Sequence, residues 1–281
     1  MRLVLLTAAL TGALTASAFA QQEPNAREAY VERRGLIEAD AQCQLFSPSI
    51  RDALQISTAQ ARGALLRAGW TNARMRDLEN AVVAAARGRA CNDARTTQAA
   101  ASASRTVAQW VNAGSMEFPG WERSWTARRV SEGWRLSQSI DAPLPATFGV
   151  LQHGQSQRLS LAVLVARAAA PPMSARLVMR NPAQPRGGEV SLTQRMASGL
   201  EAGAPSPIGA ASWSSTRTVE RLDAGRTLAI FAFPDAAFRD LVALDPRETV
   251  EIRLETARGA QRLLVEVGDV AAARAFLTVR R

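Results

Sequence analysis

The chain has 281 residues, 47% of them hydrophobic, 5% aromatic and 21% charged, a balance that excludes a disordered, collagen-like or multi-span membrane protein. All 34 basic residues are arginine and the single histidine is His153, for a net charge of +9. Without lysine there is no Schiff-base chemistry, Ser-Lys dyad or Walker lysine, and one histidine cannot build a multi-histidine metal centre.

Arg2, the apolar run Leu3 to Leu14 and Ala18-Phe19-Ala20 together read as a secretory signal over residues 1–20, cleaved after Ala20. The run is too short to span a bilayer comfortably, and no later stretch approaches eighteen apolar residues. The mature chain is therefore expected to be soluble, periplasmic or secreted, with no transmembrane anchor. Low aromatic content and a helical first half argue against an outer-membrane barrel.

Residues 21–114 carry helical periodicity. A first helix is expected over about Ala26 to Gln42, with Ala26, Tyr30, Ile37 and Ala41 recurring at helical spacing. Ser47 followed by Pro48 starts a second, which stops at Gly69. A third follows Thr71 and ends near Gly88, and a fourth runs from about Asp93 to Asn112. In an up-down bundle the end of helix one and the start of helix four share one end, which brings Cys43 and Cys91 together. In an oxidising compartment that pair reads as a disulfide. The many alanines imply close helix approach.

From about Ser115 the period becomes 2. Trp121, Trp125 and Ala127 alternate with polar residues, and so do Trp134, Leu136 and Ile140. A two-residue turn at Glu132-Gly133 sets Trp125 against Ile140 and Arg129 against Leu136. Further strands are expected at 148–152, 158–167, 175–180, 189–193, 227–233, 249–255 and 262–267. Residues 198–215 read as a surface loop around Trp213, and Asp235 and Asp269 as N-caps of two short helices. The expected class is α+β: a four-helix up-down bundle (21–114), then an antiparallel β-rich domain, sandwich or barrel-like, over 115–281 with a C-terminal helix.

The order of strand Thr227 to Phe233, short helix, Thr249-Val-Glu-Ile-Arg-Leu-Glu, Arg262-Leu-Leu-Val-Glu-Val and the closing Asp269-Val-Ala-Ala-Ala-Arg-Ala-Phe-Leu resembles the C-terminal part of invasion-associated locus B-like proteins, secreted alphaproteobacterial β-rich proteins. The likeness covers about fifty residues and is one of pattern. It implies an envelope-associated β domain and brings no catalytic residues. The cysteines of that family's β domain have no counterpart here, since Cys43 and Cys91 both lie in the helical half.

Candidate chemistry is sparse. His153 and Ser156, three apart, would face opposite ways on a continuous strand. Carboxylate pairs such as Glu122 with Glu132, or Glu220 with Asp223, are the route to a cell-wall glycan hydrolase, whose two carboxyls must lie about 5 to 10 Å apart. Trp110, Trp121, Trp125 and Trp134 bracket the change from helix to strand, beside Arg123, Arg128, Arg129 and Arg135. Two readings of that set stay open. Trp121, Arg123, Trp125, Arg129 and Trp134 form a site for a glycan or anion, or the rings form the joint between bundle and sheet. Trp213 is the candidate for an exposed partner contact. The preferred function is a non-enzymatic envelope interaction or binding module, its partner an envelope protein or an anionic or glycan-bearing polymer. Nucleic acid is not expected as a partner, and no cofactor or metal is implied. The alternatives are the hydrolase and a small-ligand carrier with a cavity inside the β domain.

Overall fold

The computed structural model describes residues 14–141, 143–166, 169–182, 210–222 and 225–279. The first thirteen residues, which hold most of the expected signal, and the expected strand at 189–193 lie outside the described residues. Four helices come first: α1 Leu14–Cys43, α2 Pro48–Arg67, α3 Asn72–Arg87 and α4 Ala94–Asn112. Their punctuation follows local chemistry. The Ser47 hydroxyl accepts from the Ile50 N–H, Thr71 from Arg74, and the Asp93 carboxylate from Arg95 and Thr96, each satisfying first-turn donors that lack helical partners. Gly69 ends α2 at a φ of +93°, a conformation that favours glycine. The first helix starts at Leu14, not near Ala26, and runs on through Pro24.

The strands are β1 Ser115–Pro119, β2 Ser124–Arg128, β3 Gly133–Ile140, β4 Ala146–His153, β5 Ser156–Val165, β6 Ser174–Arg180, β7 Ala210–Ser214, β8 Thr216–Arg221, β9 Thr227–Ala232, β10 Thr249–Thr256 and β11 Gly259–Glu266. Helix α5 (Asp235–Val242) precedes β10, and α6 (Val270–Thr278) follows β11. A seven-stranded sheet in the order β1-β2-β3-β4-β5-β9-β8 faces a four-stranded sheet in the order β11-β10-β6-β7. Every neighbouring pair is antiparallel. Alternate residues of both sheets, among them Phe118, Trp125, Phe148, Phe231, Leu177, Ile252 and Val265, are buried in one continuous cluster. The expected α+β class, four helices followed by antiparallel sheets and a C-terminal helix, is what the structure shows.

Three local expectations change. The stretch read as one strand through Trp121 is a hairpin: β1 and β2 are joined at Gly120, whose N–H reaches the Arg123 carbonyl at 2.7 Å. The next connection spans 129–132, so Ala127 stands opposite Leu136, two residues from the expected register. The shift is even, so Trp125, Ala127, Leu136 and Ile140 still point inward. Trp213, expected in a loop, lies in β7 opposite Leu177.

Helix packing also departs from a closed ring. Helix α1 packs on α2, α3 and α4, and α2 packs on α4, whereas α3 makes no comparable contact with α2 or α4. Ion pairs pin α3 along α1: Arg34 to Glu79 at 2.9 Å and Arg87 to Glu38 at 2.7 Å. The Cys43–Cys91 disulfide ties the end of α1 to the α3–α4 connection, as the helix order requires.

Candidate functional site

Of the Trp and Arg residues singled out from the sequence, Arg129 reaches the joint between the helices and the sheets, whereas Trp125 and Arg123 bond within the β half. Trp125 is fully buried, and its indole N–H donates to the carbonyls of Glu266 and Val267 at 3.0 Å each. The Glu266 carboxylate, itself buried, accepts three successive backbone N–H groups of the β1–β2 turn, from Trp121 at 2.5 Å, Glu122 at 3.0 Å and Arg123 at 3.2 Å. That internal anion sets the hairpin which the sequence pattern missed, and it fills the concave row of donors an external anion would need. A Cβ on Gly120 would collide with this carboxylate, so glycine is required there.

Arg129 leaves β2 to serve two helix ends. Its guanidinium donates to the Val111 and Ala113 carbonyls at the end of α4 and, at 2.8 and 3.2 Å, to the Phe276 carbonyl of α6. It also lies 4.0 Å over the Phe276 ring. Cationic donors at carbonyl-rich helix ends are favourable through both hydrogen bonding and the helix dipole. Arg123 reaches the Leu264 carbonyl at 3.1 Å, and Arg135 the Leu277 carbonyl at 3.3 Å. Trp134 is half-buried beside a register irregularity in β3. Trp213 is half-buried and packs on the common core. Of the six residues proposed for binding, Trp121 alone is exposed, at 42%.

A second bridge crosses the joint. Asp269, the N-cap of α6, makes no capping bond with its side chain. Its carboxylate instead takes a two-pronged pair from Arg67 of α2, at 2.7 and 3.0 Å. Gly63 of α2 lies over that carboxylate, where a Cβ would overlap it. Burial pushes the Asp269 carboxyl above its ordinary value, against the pull of Arg67's hydrogen bonds and charge.

The candidate catalytic groups are dispersed. Glu122 and Glu132 lie beyond opposite ends of the five-residue β2, Glu122 in the β1–β2 turn and Glu132 with its carboxylate on His153 and the Gly154 N–H. Glu220 is exposed on β8, and Asp223 lies outside the described residues. His153 and Ser156 are cross-strand partners in the β4–β5 hairpin, not opposite faces of one strand. The His153 ring, 95% exposed, bonds Glu132 at 3.0 Å.

What the sequence did not disclose is a groove. With α3 held to α1 and away from α4, a cavity of about 320 Å³ opens between them. Leu36, Ala39, Leu78, Ala81, Val82, Ala85, Ala86 and Ala99 line it, with Arg27, Glu32, Arg89 and Thr96 among them. Thr96 is 3% exposed and its hydroxyl has no hydrogen-bond partner. Five of the alanines that implied close helix approach line this opening, while Ala53, Ala61 and Ala100 are packed in the cores. The available signal was the small-residue face shared by α3 and α4. A hollow of about 330 Å³ between α2 and α6 carries Asp52, Gln55 and Thr278 in its wall and belongs to the joint. No helix among the described residues is long and apolar enough to cross a membrane. Comparison with known protein families, curated proteins and solved structures finds no match.

Proposed function

We propose that this chain is an exported, non-enzymatic binding module of the bacterial cell envelope whose ligand site is the groove between α3 and α4. The observation that carries the reading is the groove itself, an apolar opening of about 320 Å³ lined by three helices. Its mostly aliphatic lining suits a small apolar ligand. The leader-like first twenty residues, the disulfide and the resemblance to secreted envelope proteins support the location. The groove lies in the helical half, which replaces the expected carrier cavity inside the β domain.

The test is titration with N-phenyl-1-naphthylamine, a neutral apolar fluorophore, against the intact chain and Ala85→Trp. Ala85 is exposed on α3 and lines the groove, so tryptophan there fills the opening without entering the core. Saturable one-site binding that disappears in the variant is the expected result. Equal binding by both proteins removes the groove as the site.

A further inference from the structure

Strand β8 is the outer edge of the seven-stranded sheet, and all six of its residues are exposed. Its backbone orientation follows from two hydrogen bonds. The Leu222 N–H reaches the Arg226 carbonyl at 2.9 Å, in register with the β8–β9 ladder. The Phe233 N–H reaches the Leu159 carbonyl at 2.8 Å, in register with β5–β9. In an antiparallel ladder bonded and non-bonded pairs alternate. The even-numbered residues of β8 therefore bond β9, and the N–H and C=O groups of Arg217, Val219 and Arg221 point away from it, along the open edge. The same three side chains share one face, because Arg217 stands opposite Phe231 and Val219 opposite Ala229, both core-facing. Val219 is 41% exposed between two arginines that enter none of the ion pairs among the described residues.

We infer that β8 is a docking edge for an extended segment of a partner protein with acidic residues flanking an apolar one, in the order acid-x-apolar-x-acid. Such a segment adds a strand: its backbone pairs with the outward groups of residues 217, 219 and 221, its acids meet Arg217 and Arg221, and its apolar side chain covers Val219. A second copy of this chain is the wrong occupant. The antiparallel register that pairs all three outward residues sets Arg217 against Arg221 twice, a like-charge arrangement that opposes edge-to-edge association. The arginines repel a second copy and select an acidic strand through one charge pattern. This surface is independent of the α3–α4 groove, and either can fail without the other.

Two capped heptapeptides test it, Thr-Glu-Thr-Val-Thr-Glu-Thr and the same peptide with lysine for glutamate, read by amide hydrogen exchange at low salt. The glutamate peptide is expected to slow exchange at residues 217, 219 and 221 and to bind about tenfold better than the lysine peptide, since two cross-strand charge pairs are being exchanged for repulsions. The double variant Arg217→Glu, Arg221→Glu should invert the preference. Val219→Pro removes an outward N–H while leaving the β8–β9 bonds in place, and should abolish protection with the thermal transition retained. Protection by neither peptide, equal protection by both, or a preference that survives charge reversal overturns the inference.

Discussion

Replacing Arg67 with methionine isolates what the buried pair at the joint contributes. The Asp269 side chain is 2% exposed and that of Arg67 10%, and the bonds between them measure 2.7 and 3.0 Å. Methionine preserves most of the aliphatic packing but strands the carboxylate, and removing one partner of a buried pair costs about 3–5 kcal/mol. The pH dependence has a definite sign. Burial raises the Asp269 carboxyl in the folded state, with Arg67 opposing, and loss of Arg67 raises it further. A carboxyl with a raised folded value holds its proton more tightly when folded, so stability falls as pH climbs from the ordinary carboxyl value through the raised one. The deficit of Arg67→Met is thus largest at neutral pH and shrinks towards about pH 4, where the stranded carboxyl is protonated. Adding Asp269→Asn in the same background should recover most of the loss, because no buried charge remains. Urea denaturation followed by circular dichroism at both pH values, across the four proteins of the cycle, reads all of this. A neutral-pH loss below about 1 kcal/mol, or one equal at the two pH values, refutes the assignment of a buried, charge-bearing bridge.

Three further outcomes are expected. Replacing Cys43 and Cys91 with serine releases a constraint across 48 residues and should lower stability by about 4 kcal/mol, measured by the same urea titration. Asp40 behaves oppositely to Asp269. Burial works against its ionisation most strongly, yet the hydrogen bonds from Arg51 and the Phe46 N–H, with the Arg51 charge, together hold its carboxyl below the ordinary range. Its contribution is present above the ordinary aspartate value and is lost as pH falls through the lowered one, so Asp40→Asn should flatten the acid limb of a melting-temperature profile. Thr96→Val removes a buried hydroxyl with no partner and should stabilise the ligand-free protein by about 1 kcal/mol in a thermal melt.

The boundaries of α2, α3 and α4 were legible because their causes are local, whereas the start of α1 at Leu14 was not. Ser47, Thr71 and Asp93 cap their own first turns, and Gly69 needs no distant partner to turn the chain. The strands around Phe148, Ile252 and Val265 were legible from alternation alone, since one face of each is buried. What failed was set at long range. The β1–β2 hairpin is organised by Glu266, 143 residues beyond Arg123, and nothing within residues 115–128 announces that carboxylate. Strands β7 and β8 are rich in small and polar residues and carry little hydrophobic contrast, so β7 reads as part of the loop over 198–215 and no strand is expected at 216–221. The Trp and Arg cluster was legible as a place of importance but not as a kind of place. A guanidinium that caps two helices and one that grips an anion have the same sequence, and only the carbonyls around Arg129 separate them. The groove escaped notice because it arises from a helix that stays away, and periodicity reports contact, not its absence.

Helix α6 packs on α2 and on strands β1, β2 and β3, and through Arg67 it links positions 202 residues apart. That placement imposes an order on folding. The helices of the first half can form early from local contacts, but the surface of α2 that receives α6 stays open until residues 270–278 are available to cover it. Closing so distant a pair pays its loop entropy before any contact repays it, which makes docking of α6 a late step and a slow one. Until then an apolar face of the helical half is exposed, so the chain's most vulnerable interval falls before its last helix is in place.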